Sequence, residues 1–355
     1  MRILRGYVTR HLIASWALVG AMLSILLLLV RLLDEMDRLA GGYTATKAIL
    51  HVALTLPQQL LMLTPVVVLA GTLAAFARLE QSNEMTVIRG SGVNKKRLLG
   101  MMGIPFLVLA VALWVTMEWV TPSLHQWGEE IRNEARGNNT LEPGESLWSR
   151  AGPTFYRVGR LGEDGTPGDI DIFVFVPEHQ LTRTIHAARA EILGQRRWRL
   201  HDTVERRWEG NTVMVTHSPE LTFDGLWTRD ELQRLLLSLD SMSPSVLFQY
   251  KNYLDRSGQV SDTHALAFWN RVLLPLATIG MGLLALGLSA KPGSRRSGMG
   301  RQLGLGVLIG VLFYLGSQVA VALGQIFHLS ALGTALFPLV CIFTAAILLV
   351  YRLRW

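Results

Sequence analysis

Arg31, Asp34 and Arg38 follow the apolar run of residues 12–30 at spacings of three and four. In a helix those intervals place all three side chains on one face. Charge at the end of an apolar span either anchors the helix at the membrane interface or grips a charged ligand, and both readings stand open here. An arginine suits a phosphate because its planar fork presents two donors to two oxygens at once. A second group lies at Ser82-Asn83-Glu84-Met85-Thr86-Val87-Ile88-Arg89-Gly90-Ser91-Gly92. It reads as a short helix that Ser82 or Asn83 can cap and Gly90 can end. Glu84 falls in the first turn, where the helix dipole favours an acid. Met85 and Ile88, three apart, share a face. The segment is either a solvated loop or a knob that docks into a partner.

Other chemistries have no residues to carry them. No glycine-rich run ends in Gly-Lys-Ser or Gly-Lys-Thr, and none of the five lysines follows a glycine. The chain therefore lacks the phosphate cradle of an ATPase. There is no His-Glu-x-x-His, and the nine histidines form no i, i+4 pair. His186 and His201 fall in expected strands and read as partly exposed sheet residues. His51 is the one histidine deep enough in an apolar stretch to consider for intramembrane hydrolysis, and no polar cluster accompanies it. The single cysteine, Cys341, excludes an internal disulfide and a cysteine-built metal site. No metal site and no cofactor of this chain's own is expected. Glu118 and Arg271 read as interfacial residues flanking a central insert. Gly300/Gly304 and Gly306/Gly310 are pairs of small residues four apart, the spacing that lets membrane helices approach closely.

The elements that must hold these residues are membrane spans. Of 355 residues, 50% are hydrophobic and 17% charged, against a usual charged share of roughly a quarter. Residues 302–351 contain no Asp, Glu, Lys or Arg. A helix needs about 20 apolar residues to cross the hydrocarbon, so that run spans twice, split at the polar patch 324–330. With residues 12–30, 48–77, 98–117 and 272–290, six spans are expected. The first is too long for a cleavable signal peptide and runs on without a small-residue cleavage pattern. The N-terminus, the loops between spans two and three and between four and five, and the C-terminus together carry fourteen basic residues against Glu80 and Glu84. Those four segments therefore face the cytoplasm. The net charge of +7 is a topology signal, not a nucleic-acid footprint.

Three segments follow: residues 1–121 with spans one to three and a cytoplasmic helix near 80–90, residues 122–263 outside the cytoplasm, and residues 264–355 with spans four to six. The insert holds 16 basic and 21 acidic residues. It opens on a polar helix, 122–138, that extends span three. Strands are expected at 154–158, 169–176, 184–193, 196–204 and 212–216. Alternation in Trp198-Arg199-Leu200-His201 implies a sheet with one buried face, and strands this short and close suggest an all-β sandwich or jelly roll. Thr228-Arg229-Asp230-Glu231 has capping-box spacing. Ser243-Pro244 reads as a helix N-cap followed by proline, and Gly258 as that helix's stop.

This order of elements resembles the YjgP/YjgQ permeases, the lipopolysaccharide export permeases LptF and LptG. The resemblance rests on residues 82–93, Trp119-Val120-Thr121-Pro122, Ser146-Leu147-Trp148-Ser149-Arg150-Ala151-Gly152 and Phe268-Trp269-Asn270-Arg271-Val272-Leu273-Leu274-Pro275-Leu276. The approaches to the insert and to span four are closer to the LptG type than to the LptF type. The resemblance implies an inner-membrane permease with a periplasmic jelly roll, paired with an LptF-type permease above an LptB-type ATPase dimer that binds the ATP and Mg. LptC and LptA would carry lipopolysaccharide onward. By the same resemblance Glu84, Met85 and Ile88 form the ATPase-coupling helix, and Arg31, Asp34, Arg38 and Arg132 face the lipid. Asp37 stands where that family commonly has a base, which weakens the head-group site or implies a lipid of different charge. Two other readings compete. A relay permease that moves no lipid usually has four spans; a lipid-modifying enzyme needs polar clusters within the spans.

Overall fold

The computed structural model describes residues 2–39, 42–93, 95–136, 147–161, 166–176, 180–194, 197–210, 212–224, 227–228, 238–256, 261–289 and 299–352. Helix α1 (Arg2–Met36) has 35 residues. At 1.5 Å per residue it is about 50 Å long, more than the hydrocarbon needs. α2 (Ala45–Met62) and α3 (Thr64–Gln81) meet at Leu63 with a bend of 69°. Pro65 sits in the first turn of α3; proline tolerates that position because its missing N–H would be unpaired there anyway. The span expected over 48–77 is therefore bent at Leu63. Among the described residues, five helices are long and apolar enough to cross a membrane, and a sixth span results if the bent pair counts as one.

α4 (Glu84–Gly90) is followed by α5 (Lys95–Val115). A π-helical turn at Thr116–Val120 joins α5 to α6 (Thr121–Arg136), so the expected outward extension of span three forms. The insert closes on α7 (Pro244–Arg256), and α8 (Asp262–Ser289), α9 (Met299–Ile326) and α10 (Ala331–Arg352) follow. The break between α9 and α10 falls in the expected patch, where His328 takes a positive φ.

α3 is the hub of the helical part. Residues 67–77 are all buried, and α1, α8 and α9 pack around them. Small residues permit that closeness: a Cβ on Gly71 would lie 3.0 Å from the Trp16 Cα. The polar atom this buries is satisfied, because Trp16 Nε1 donates to Thr72 Oγ1 at 3.0 Å.

Among the described residues of the insert, six strands form one antiparallel sheet. Its strands are β1 (Leu147–Ala151), β2 (Thr154–Leu161), β3 (Pro167–Val176), β4 (Gln180–Gly194), β5 (Arg197–Glu209) and β6 (Thr212–Asp224). Five were expected; β1 was not. The described strands run as a meander, each beside its sequence neighbours. The Greek-key crossing that would make a jelly roll is not among them. The period-2 pattern is observed: Trp198 and Leu200 are buried and Arg199 between them is half-buried. Trp227 closes the buried face, accepting from Trp198 Nε1 at its carbonyl (2.9 Å) and donating to the Tyr253 hydroxyl of α7 (2.9 Å). Ser243 caps α7 as expected, its hydroxyl accepting from Val246 N at 3.3 Å. Arg229, Asp230, Glu231 and Gly258 lie outside the described residues.

Candidate functional site

A cavity of about 850 Å³ opens between the helices at the end that carries the sheet. Arg31, Asp34, Arg38 and Arg132 all line it. Residues from α1 and α6 that lie a hundred positions apart are thus brought to one wall. The opposite walls are largely apolar and come from α8, α9 and α10, with Leu273, Phe313 and Leu339 among them.

The charges are organised around Glu35, which sequence reasoning passed over. Glu35 is 6% exposed. Its Oε1 accepts from the Tyr43 hydroxyl at 3.0 Å and lies 3.4 Å from Arg132 Nε. Its Oε2 lies 3.9 Å from Arg38 Nη1. Arg132 also reaches Glu129 at 3.5 Å, the i, i+3 partner on its own helix. α1 ends at Met36, so Arg38 stands in the following turn and not on the α1 face. Its spacing from Asp34 is therefore not a helical one. Burial of a carboxylate is tolerated only with such company, since an unpaired charge in an apolar setting is expensive. Glu35 had one sequence signal, its position four residues after Arg31.

His51 extends the network. Its Nδ1 is 2.9 Å from the Gly128 carbonyl, so that nitrogen carries the proton and donates. Its Nε2 lies 3.9 Å from Glu129. His51 thus ties α2 to α6 where the backbones are close: a Cβ on Gly128 would sit 3.1 Å from Thr55 Cγ2. Arg271, read from the sequence as interfacial, is buried among protein groups. It is 4% exposed, and its Nη2 donates to the Leu239 carbonyl at 2.7 Å and the Asp240 carbonyl at 3.4 Å. It holds the short 3₁₀ turn Leu239–Ser241 at the cavity rim. Glu118 Oε2 accepts from Ser245 N at the start of α7.

The second candidate site is α4. Asn83 takes φ +60°, and its carbonyl accepts from Thr86 N and Val87 N. The Ser82 hydroxyl turns back to the Arg78 carbonyl at the end of α3. Gly92, at φ +79°, makes the turn that follows α4. Met85 and Ile88 share a face, but that face points inward. They are 3% and 6% exposed and pack with Val8, Leu12 and Leu98. The apolar group that α4 offers outward is Val87, 70% exposed. Glu84 Oε2 accepts from the Tyr7 hydroxyl at 2.5 Å. That hydrogen bond, the largest influence on the group, holds the carboxyl below its usual range.

The glycine pairs divide. Gly306 and Gly310 face α3: a Cβ would meet Leu73 Cδ1 at 2.8 Å and Val66 Cγ1 at 2.5 Å respectively. Gly300 and Gly304 face open space. In the sheet, Asp169, Asp171 and His186 could group around a cation. Arg157 already fills that role, 2.6 Å from Asp171 and 3.1 Å from Asp169, so the cluster is an ion-pair network.

Residues 6–352 match the family model described as lipopolysaccharide export system permease LptF/LptG. The chain is similar to lipopolysaccharide export system permease protein LptG of Escherichia coli strain K12, 28% identical over 360 residues that cover 99% of this chain and 98% of that one. It is also similar to the protein of the same name from Haemophilus influenzae, 26% identical over 301 residues covering 84% of each.

Proposed function

The chain belongs to the lipopolysaccharide export permease family LptF/LptG, and from that membership we propose that it is the LptG-type permease subunit of an ATP-driven exporter in the bacterial inner membrane. The observation that carries this reading is the cavity: apolar walls beside a cluster of arginines and acids at the sheet end of the helices. Lipopolysaccharide combines phosphates with several acyl chains. A site for it needs apolar walls for the chains and cations near the interface for the phosphates. In this reading residues 122–263 are periplasmic, residues 1–121 and 264–355 hold the spans, and both termini are cytoplasmic.

ATP binding belongs to a partner, an LptB-type ATPase dimer, because the sequence has no phosphate cradle of its own. The permease receives that energy by contact, and α4 is the contact. Glu84 and Val87 meet the ATPase, while Met85 and Ile88 pass the movement into the core around α1, α3 and α5. A contact of this kind drives transport only if it favours one state of the cavity over another. An LptF-type permease completes the cavity against exposed apolar faces such as Ile25 and Leu29 of α1 and Leu308 and Leu312 of α9. The sheet hands the lipid to LptC- and LptA-type proteins.

The test is transfer of labelled lipopolysaccharide from proteoliposomes holding the purified complex to a soluble acceptor. ATP-dependent transfer supports the proposal. ATP hydrolysis with no lipid movement would point to a relay permease instead.

A further inference from the structure

A second recess lies at the other, amino-terminal end of α1. It is an open groove of about 680 Å³ between α1 and α5. Arg5, Gly6, Arg10, Ile13 and Ala14 of α1 line one side, and Ile104 of α5 lines the other. The two helices run side by side in the same direction. Trp16 meets Phe106 with ring centroids 5.2 Å apart, and Val8 and Leu12 share a buried cluster with Leu98 and Met102. The charge of the groove is uncompensated. Residues 2–33 of α1 and 95–115 of α5 contain no Asp or Glu. Among the described residues, Arg5 and Arg10 make no hydrogen bond or ion pair. Arg97 is exposed and precedes Ile104 by about two helical turns, so it adds a third cation at the Arg5 end.

The groups follow one another along the groove in the order that a lipid presents them. Ile13 lies about 5 Å further along α1 than Arg10 and about 12 Å further than Arg5, and Ile13, Ala14 and Ile104 are all exposed. Gly6 leaves room beside the cations, since a Cβ there would meet nothing within 4 Å. A phosphate fits the guanidinium groups, whose planar forks each present two donors, and an acyl chain fits the apolar stretch beyond them. Arginines that only anchored α1 at the interface would need no groove whose apolar wall continues from them. We propose that this groove binds an anionic glycerophospholipid, with Arg5 and Arg10 on its phosphate and an acyl chain along Ile13, Ala14 and Ile104. Basic recesses between membrane helices suit anionic head groups in general. In the orientation proposed above, the lipid belongs to the cytoplasmic leaflet and is a resident ligand, separate from the exported one. Only that choice of leaflet rests on the permease reading.

The experiment uses the complete permease–ATPase complex in nanodiscs of equal parts phosphatidylglycerol and phosphatidylcholine with matched acyl chains. A photoreactive residue replaces Ile13, and the two lipid adducts are compared. Phosphatidylglycerol should give at least roughly fivefold more adduct, the factor that one arginine near a membrane surface contributes. Arg5→Gln combined with Arg10→Gln should bring the two adducts to near equality. Ala14→Trp fills the groove while keeping both charges, and it should lower both adducts. The proposal is overturned if the native complex labels the two lipids equally, or if the preference survives loss of both arginines. Labelling unchanged by Ala14→Trp would also overturn it, because the attraction would then be diffuse. So would an adduct with the ATPase or another permease chain, or displacement of phosphatidylglycerol by lipopolysaccharide at equal mole fraction. Transfer of lipopolysaccharide by the same complex is read separately, so failure of this site and failure of the permease reading are distinguishable.

Discussion

The Tyr7 hydroxyl donates a 2.5 Å hydrogen bond to Oε2 of Glu84, joining α1 to α4 across 77 residues. One partner belongs to the helix that lines the cavity with Arg31, the other to the helix proposed to meet the ATPase. The cavity wall and α4 are thus linked through one long, continuous helix. Glu84→Ala is expected to lower the lipid released per ATP hydrolysed, and Tyr7→Phe to do so more weakly while the ATPase stays bound. Coupled release assays on the two single variants and the double variant check this. If the bond is the link, the double variant is no worse than Glu84→Ala alone.

The same pair sets a pH window. Because the Tyr7 hydrogen bond lowers the folded-state pKa of Glu84, its stabilisation is present above the unfolded value of about 4.3 and is lost as pH falls through the folded value. Hydrogen exchange at α4 amides should therefore be unchanged from pH 7 to 5, after correction for intrinsic rates, and should rise on further acidification. In Tyr7→Phe the rise should begin at higher pH.

Val87 and Ile88 are neighbours with opposite tasks. Ile88→Ala empties part of a buried cluster and should destabilise the helical part by about 2 kcal/mol or more, read as a lower melting temperature in detergent. Val87→Asp should leave melting unchanged and reduce the ATPase recovered with the chain. A Val87→Asp chain that retains its ATPase fully would remove α4 as the docking element.

Gly310→Ala and Gly306→Val place atoms into Val66 and Leu73 of α3. Overpacking of this kind costs about 1–3 kcal/mol. Gly304→Ala, which faces open space, should melt as the native chain does. Melting curves of the three purified variants separate intrachain packing from contact with another subunit.

What could be read from the sequence follows from what each signal reports. Apolar length found the helices, and period-2 alternation found the buried face around Trp198 and Leu200. The Ser243-Pro244 cap was readable because capping is local. The bend at Leu63 was not: Pro57 and Pro65 lie in an apolar stretch whose hydropathy carries no direction. Spacing showed that Met85 and Ile88 share a face, but not that α1 and α5 already cover it. Arg31, Asp34 and Arg38 were legible as charges beside an apolar run, and Arg132 came only from the family resemblance. Glu35 and Arg271 were missed as partners because their roles depend on contacts with Arg132 and Leu239, distant in sequence.

Entry of lipopolysaccharide into the cavity between α1, α2 and α6 is tested most directly by photo-crosslinking from two positions in the complete complex. A photoreactive residue replaces Gln58, which lines the cavity, or Leu107, which is 61% exposed on the outside of α5. In membranes containing lipopolysaccharide, the Gln58 position should form a strong adduct that changes with ATP, and the Leu107 position a weak one that does not. Equal, ATP-independent labelling at both positions, or none at Gln58, would contradict a lipid path through this cavity.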